Sequence, residues 1–361
     1  MKKILILILI LFTLTGCYDY KEINDLAIIS AIGVDIQDDT YIITLEVLND
    51  EQEKDSAKLT SYTKTGEGKT LTSAIENAAD KLPKQVTLNH VKLMVLSNSI
   101  INEKFENIMD FFLRNTYFRE NFYVVSSMDN TPDEILKITT ENAPIASIAI
   151  TSILENMDYS SNSNILKKFN EINEEVITFG LDTCFSNITL NNKDFLVDGM
   201  VIFHNYDYKS KLNNEDVKLY NILRNKFDRP SISKKYENKY FTVAINDGRT
   251  KISIKKGSIN ITGDLSGRIL DNEVNFDIKS KDVLSFLDKD FSNELNNKFT
   301  LFLKTLQEKE SDILGLTKNY YNKTRIRDEN YWKYSDIKSN INYYINKKGL
   351  IYEVDYEHEK K

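Results

Sequence analysis

The sequence predicts a multi-domain α+β protein with mixed sheets and packed helices, and three observations carry that expectation. Apolar, β-branched runs alternate with amphipathic helices over the first half of the chain. Short strands separated by turn residues follow as an antiparallel meander, and one long amphipathic helix comes after them. The 361 residues, 41% hydrophobic and 28% charged, with 18 Phe and 20 Tyr, suit two or three packed cores rather than a disordered polymer. The 47 basic and 54 acidic residues leave a net charge of −7, which repels phosphate backbones, so no nucleic-acid partner is expected.

Residues 1–16 read as a lipoprotein signal peptide that is removed. Lys2 and Lys3 precede an apolar run from Ile4 to Leu14, about half the length of a bilayer span, and Leu14-Thr15-Gly16-Cys17 resembles a bacterial lipobox. In that reading Cys17 takes a diacylglycerol anchor and residues 17–25 form the lipidated tether. Cleavage leaves 45 basic against 54 acidic residues, so the mature protein gains nothing from an anionic membrane surface, no segregated basic patch is expected, and the anchor is the lipid rather than a polybasic patch. Cys184 is then the remaining cysteine, an intramolecular disulfide is excluded, and a small buried hydrophobe is the simplest role for it.

Residues 26–180 read as an N-terminal α/β-type region, divisible near 130–140. Leu26–Val34 and Tyr41–Val47 are strands separated by an Asp35–Thr40 loop, Gly33 and Asp35 at the end of the first run serve as turn residues, and a third strand covers Lys58–Lys64. Thr70–Leu82 carries Leu71, Ala74, Ile75 and Ala78 at helical spacing, with Ser73 and Glu76 at capping-box distance. A strand over Val91–Leu96, a helix over Glu103–Arg114 and a strand over Phe122–Ser126 follow. Thr131-Pro132-Asp133-Glu134 is a helix start with cap, proline and acidic first turn. Helical patterns continue over Ile145–Met157 and Ile165–Glu174.

Residues 181–361 read as a C-terminal antiparallel sheet plus helices. Phe185–Leu190 and Phe195–Phe203 flank an Asn191–Asp194 turn, and Leu212–Phe227 is helical. Tyr240–Ile245, Lys251–Lys255, Ser258–Thr262 and Glu273–Ile278 read as four short strands, with Asn246-Asp247-Gly248 as one turn. Leu284, Leu287, Phe291, Leu295, Phe299, Phe302 and Leu306 define one helical stripe that packs on the sheet. Asn340–Ile345 and Leu350–Tyr356 are placed to close that sheet.

No catalytic, cofactor-binding or metal-binding residue is assigned. His90, His204 and His358 lack ligand spacing, and His90 and His204 read as strand-end polar residues. Gly66-Glu67-Gly68 lacks a third glycine, Gly263–Gly267 is not a nucleophile elbow, and both read as turns.

The stretch Glu22-Ile23-Asn24-Asp25-Leu26-Ala27-Ile28-Ile29-Ser30-Ala31-Ile32-Gly33-Val34-Asp35 resembles the opening signature of the Ger(x)C family, the lipoprotein C subunits of spore nutrient-germinant receptors. Similar blocks follow in order: Asn89–Leu96, Asp110–Arg114, Phe118-Arg119, Asp198–Phe203, and Asp312–Leu316 with Trp332. Leu314 and Leu316 stand where the family has aromatic residues, and Lys209–Asn213 departs from its pattern. The resemblance implies a three-domain α+β protein on the outer face of the spore inner membrane. It implies action beside two polytopic membrane subunits, and it implies no enzymatic activity and no cofactor. An ABC-type solute-binding lipoprotein is the alternative, against which the sequence lacks a pair of similar βαβ lobes joined by a hinge. A secreted lipoprotein hydrolase stands third and lacks any motif.

Overall fold

The computed structural model describes residues 25–53, 56–139, 144–156, 163–255 and 257–346. The signal peptide, Cys17, His358 and the Leu350–Tyr356 segment lie outside the described residues. Leu26–Gln37 (β1) turns at Asp38 and Asp39, both at positive φ, into Thr40–Glu53 (β2), which pairs with Ser56–Gly68 (β3). Gly33 and Asp35 therefore lie inside β1, and the turn reading of both is corrected. Gly33 instead permits a close approach, since a Cβ there would sit 2.7 Å from the Cβ of Pro132.

Leu71–Ala79 (α1) is capped by Thr70, whose hydroxyl accepts from the Ser73 amide; the capping box is thus Thr70 with Ser73, one step earlier than the spacing suggested. Gly66 and Gly68 lie in β3 rather than in a turn. A Cβ on Gly66 would be 2.2 Å from the Ala78 nitrogen, so glycine lets α1 lie on the strand. Gln85–Thr87 (β4) and Leu93–Ser97 (β5) follow, then two short helices, Asn98–Glu103 (α2) and Phe105–Arg114 (α3), where one was expected. Tyr123–Ser127 (β6) precedes Pro132–Lys137 (α4), which has the expected Thr131 cap, Pro at its start and acidic first turn; Glu134 adds a capping-box bond back to the Thr131 amide. Ala146–Glu155 (α5) and Phe169–Val176 (α6) lead to Thr183–Asn191 (β7), Asp194–His204 (β8) and Asp207–Leu212 (β9). The β9 strand was hidden because only Ser210 and Leu212 of its residues are buried.

These strands form one sheet in the order β3-β2-β1-β5-β6-β7-β8-β9, with β4 on β1. The β1, β5, β6 and β7 strands are parallel, and β6 to β7 carries the sheet across residue 181. Helices cover both faces, and the buried runs of β1 and β5 follow from that.

Asn214–Leu223 (α7) leads to a second sheet of Ser231–Tyr236 (β10), Lys239–Lys255 (β11), Ser258–Asn272 (β12) and Asp336–Ile345 (β13). The β10-β11-β12 part is the expected antiparallel meander, built from longer strands than the sequence suggested. Asn246–Gly248 is not a turn but the site of a register shift inside β11. Gly263 and Gly267 likewise lie inside β12, and Glu273–Ile278 is not a strand. Lys281–Glu308 (α8) buries all seven stripe residues and returns the chain so that β13 pairs with β12 in parallel.

The free edge of β13 is closed by α8 itself. Asp288, Ser292 and Asn296, four residues apart on one helix face, accept from the Ile345, Tyr343 and Ile341 amides at 2.8, 2.8 and 2.7 Å. Asn296 also donates to the Ile341 carbonyl at 2.9 Å. A helix thus satisfies the outward groups that an added strand would otherwise use. Leu316–Thr324 (α9) sits between α8 and β13 in the chain.

Candidate functional site

The parallel strands β1, β5, β6 and β7 all begin at one end of the large sheet, and β8 ends there, Phe203 opposite Thr183. At this end the 176–182 segment and the β8–β9 turn meet the chain between α8 and β13. They enclose a cavity of about 470 Å³, lined among others by Phe179, Asp182, His204, Lys209, Arg327 and Trp332.

Two buried aspartates tie its walls together. Asp182 directly precedes β7, donates its amide to the Asp312 carbonyl at 3.1 Å, and accepts the Asp312 amide on Oδ2 at 2.7 Å. The Asp312 carboxylate accepts the Leu316 and Thr317 amides, each at 2.7 Å, and so caps the first turn of α9. Gly315, at φ 64, brings the chain from Asp312 into that helix without a side-chain cap of its own. Burial pushes the Asp312 carboxyl up to about 6, against the lowering pull of those amides.

His204 Nδ1 lies 2.8 Å from Asp182 Oδ1, and that hydrogen bond raises the imidazole above its usual value. The imidazole is half-exposed, so the bond reports to solvent. Lys318 donates its amide to the Gly180 carbonyl at 3.0 Å, and the Arg327 guanidinium lies 5.0 Å from the centre of the Phe179 ring and 5.8 Å from that of Tyr321. Lys333 pairs with Glu310 at 3.1 Å. The Gln307 side chain donates to the Trp332 carbonyl at 2.8 Å, which fixes the indole as one wall of the cavity.

Asp182 and Asp312 hold the end of the large sheet to the start of α9, and among the described residues no group of three His, Cys, Asp or Glu side chains is placed to hold a metal ion. His90 is exposed in the turn before β5 and does not line this cavity, while His204 is a strand-end residue as expected but gains a buried partner. Cys184 is fully buried in the second core, 3.8 Å from Lys167 Nζ, and burial pushes its thiol up. Asp182 was not singled out from the sequence, because its partner stands 130 residues away and nothing local marks it. Asp312 and Trp332 were visible there only through the family-like blocks, which the fold now brings to one cavity.

Residues 19–189 match the family described as "Spore germination protein N-terminal domain", and residues 198–349 match "Spore germination B3/ GerAC like, C-terminal". The chain belongs to the Ger(x)C family of spore germination proteins. This Ger(x)C chain is 22% identical to spore germination protein KC of Bacillus subtilis (strain 168), over 89% of its own length and 88% of that protein's. It is 24% identical to spore germination protein A3 of the same organism, over 74% and 73%. The crystal structure of the GerBC protein shares its fold, with a TM-score of 0.52 at 16% identity over 87% of this chain and 96% of that one.

Proposed function

We infer that this Ger(x)C chain is the lipid-anchored C subunit of a spore germinant receptor. It acts by binding two polytopic membrane subunits on the outer face of the cell membrane that becomes the spore inner membrane, and it turns over no substrate. The observation that carries this reading is the family match running in order along nearly the whole chain. The lipobox ending at Cys17 supports the anchor. A diacyl anchor confines the body to the membrane plane and raises its effective concentration against membrane partners, so a modest interface suffices. A nine-stranded sheet beside a four-stranded one is unlike the paired lobes of a solute-binding lipoprotein.

A clean deletion tests the reading: germination by the nutrients that use its receptor should be lost or slowed, and germination by routes that bypass nutrient receptors should persist. The partner subunits should co-purify from detergent-solubilised spore membranes. Cys17→Ala should release or mislocalise the protein. Normal nutrient germination in the deletion strain without a sister receptor, or turnover by the purified protein, would overturn it.

A further inference from the structure

The net charge of −7 hides a segregation. Residues 317–334 carry five basic and two acidic residues, a net +3 within an acidic chain. Lys323, Arg325 and Arg327 are exposed, and large apolar side chains stand in the open beside them: Ile326 is 55% exposed and Tyr334 86%. Ile177, 69% exposed, adds to them from the facing segment, whose Phe179 lies under Arg327. Cations interleaved with exposed apolar and aromatic side chains suit a surface that is negatively charged outside and apolar beneath.

Topology places this patch at the end of the molecule from which the tether leaves. Val34, Leu96, Ser126 and Asn187 lie in one row across the parallel strands, so Asp182 is level with Ile29, and Asp25 stands beyond it on the same end. Three strand spacings separate β1 from β7, about 14 Å. The eight residues 17–24 reach at most about 29 Å when extended. A membrane holding Cys17 is therefore within reach of the basic segment.

We propose that the α9 segment and the loop after it, centred on Lys323, Arg325 and Ile326, form a second membrane contact that lies on anionic lipid headgroups. The contact orients the body that the lipid at Cys17 only tethers, and in this it rests on the anchor reading above. Asp328 and Glu329 within the segment and Glu310, paired with Lys333, offset part of its charge, so Lys323 and Arg325 are the core of the patch, and the expectation that no basic patch meets the membrane is revised here.

The test reconstitutes the full-length lipidated protein into vesicles of phosphatidylcholine alone or with 30% phosphatidylglycerol, a share set at roughly that of an anionic leaflet. Hydrogen exchange of residues 317–334 is then followed. Exchange should slow in the anionic vesicles, where an attraction of about 1 kcal/mol per basic residue favours the bound state by roughly fivefold for each. The slowing should disappear in high salt and in the Lys323→Glu/Arg325→Glu variant, which leaves the stacked Arg327 in place; unchanged Trp332 fluorescence checks that the variant is folded. Equal exchange in both vesicles overturns the proposal, and so does protection that appears only in native spore membranes, which would assign the patch to an acidic protein partner. Flotation separates the two readings. Failure of the lipidated protein to float with pure phosphatidylcholine refutes the anchor alone, and the patch is then read from flotation of the unlipidated chain on anionic against neutral vesicles.

Discussion

Gly33→Val should destabilise the protein by about 3 kcal/mol without touching any exposed surface. The perturbation is steric. A Cβ on Gly33 would lie 2.7 Å from Pro132 Cβ and 3.3 Å from both Leu136 Cδ1 and Thr44 Cβ. Apolar carbons rest at roughly 3.5–4.0 Å, so β1 and α4 must part by about 1 Å to admit even one methyl. Overpacking a close-packed interior costs about 1–3 kcal/mol, and valine adds two more methyls at a wall formed by Pro132 and Leu136, both buried. Gly33→Ala should cost less, because it adds one carbon to the crowded site where valine adds three. Urea unfolding followed by far-UV circular dichroism reads the loss as a midpoint lowered by about 1 M. Trp332, the one tryptophan, reports the second core and should shift less. A Gly33→Val midpoint equal to that of the parent protein would refute the close-approach argument, and a stable variant that had lost germination would move Gly33 to a partner contact.

Three further outcomes follow from buried polar groups. The Asp312 carboxyl is raised to about 6 by burial, so its folded form favours the proton; stability from this group is greatest in acid and is lost as pH rises from about 4 through 6. His204, raised by Asp182, adds in the same sense, losing its contribution as pH climbs past its raised value. Asp312→Asn should therefore gain about 3 kcal/mol relative to the parent between pH 4 and 7, read from paired denaturation curves; parallel curves would contradict it. Glu46→Ala should cost about 3 kcal/mol and speed hydrogen exchange in α5, because the buried Glu46 carboxylate accepts Ser30 Oγ at 2.6 Å, Ser61 Oγ at 3.1 Å and the Ser147 amide at 3.3 Å. Asn296→Ala should cost about 2 kcal/mol by leaving the Ile341 amide and carbonyl unpaired, with faster exchange at Ile341 as the readout.

The legible parts of this fold are those whose cause is local. The α8 stripe, the Thr131 cap with Pro132, and the Asn191–Asp194 turn are each specified within a few residues, and the structure has them where the sequence puts them. What was misread depends on neighbours far along the chain. Gly33, Gly66 and Gly267 look like turn residues in one dimension, yet each sits in a strand where another backbone or helix comes close: a Cβ on Gly267 would be 1.6 Å from the Ala244 carbonyl. The α5 helix has Ile145 at its cap position with no side-chain bond there, and takes its N-terminal acceptor from Glu46, 101 residues earlier. The parallel pairing of β13 could not be read either, because the meander before it sets an antiparallel pattern that only the α8 crossover reverses. At the cavity, the strand-end position of His204 was legible and its partner Asp182 was not.

The placement of these groups ties the large sheet to α9. Asp182 holds the rim of the large sheet to Asp312, and Asp312 in turn fixes the first turn of α9 through two amides. A displacement of α9 cannot leave that carboxylate where it is without breaking bonds to a buried group, which costs about 1–3 kcal/mol for each acceptor left unpaired. Separating α9 from the end of the sheet therefore breaks bonds to two buried carboxylates, Asp182 and Asp312. His204, half-exposed, bonds the other oxygen of the same Asp182 carboxylate, so the rim of the sheet, the start of α9 and a solvent-facing imidazole share one hydrogen-bonded cluster.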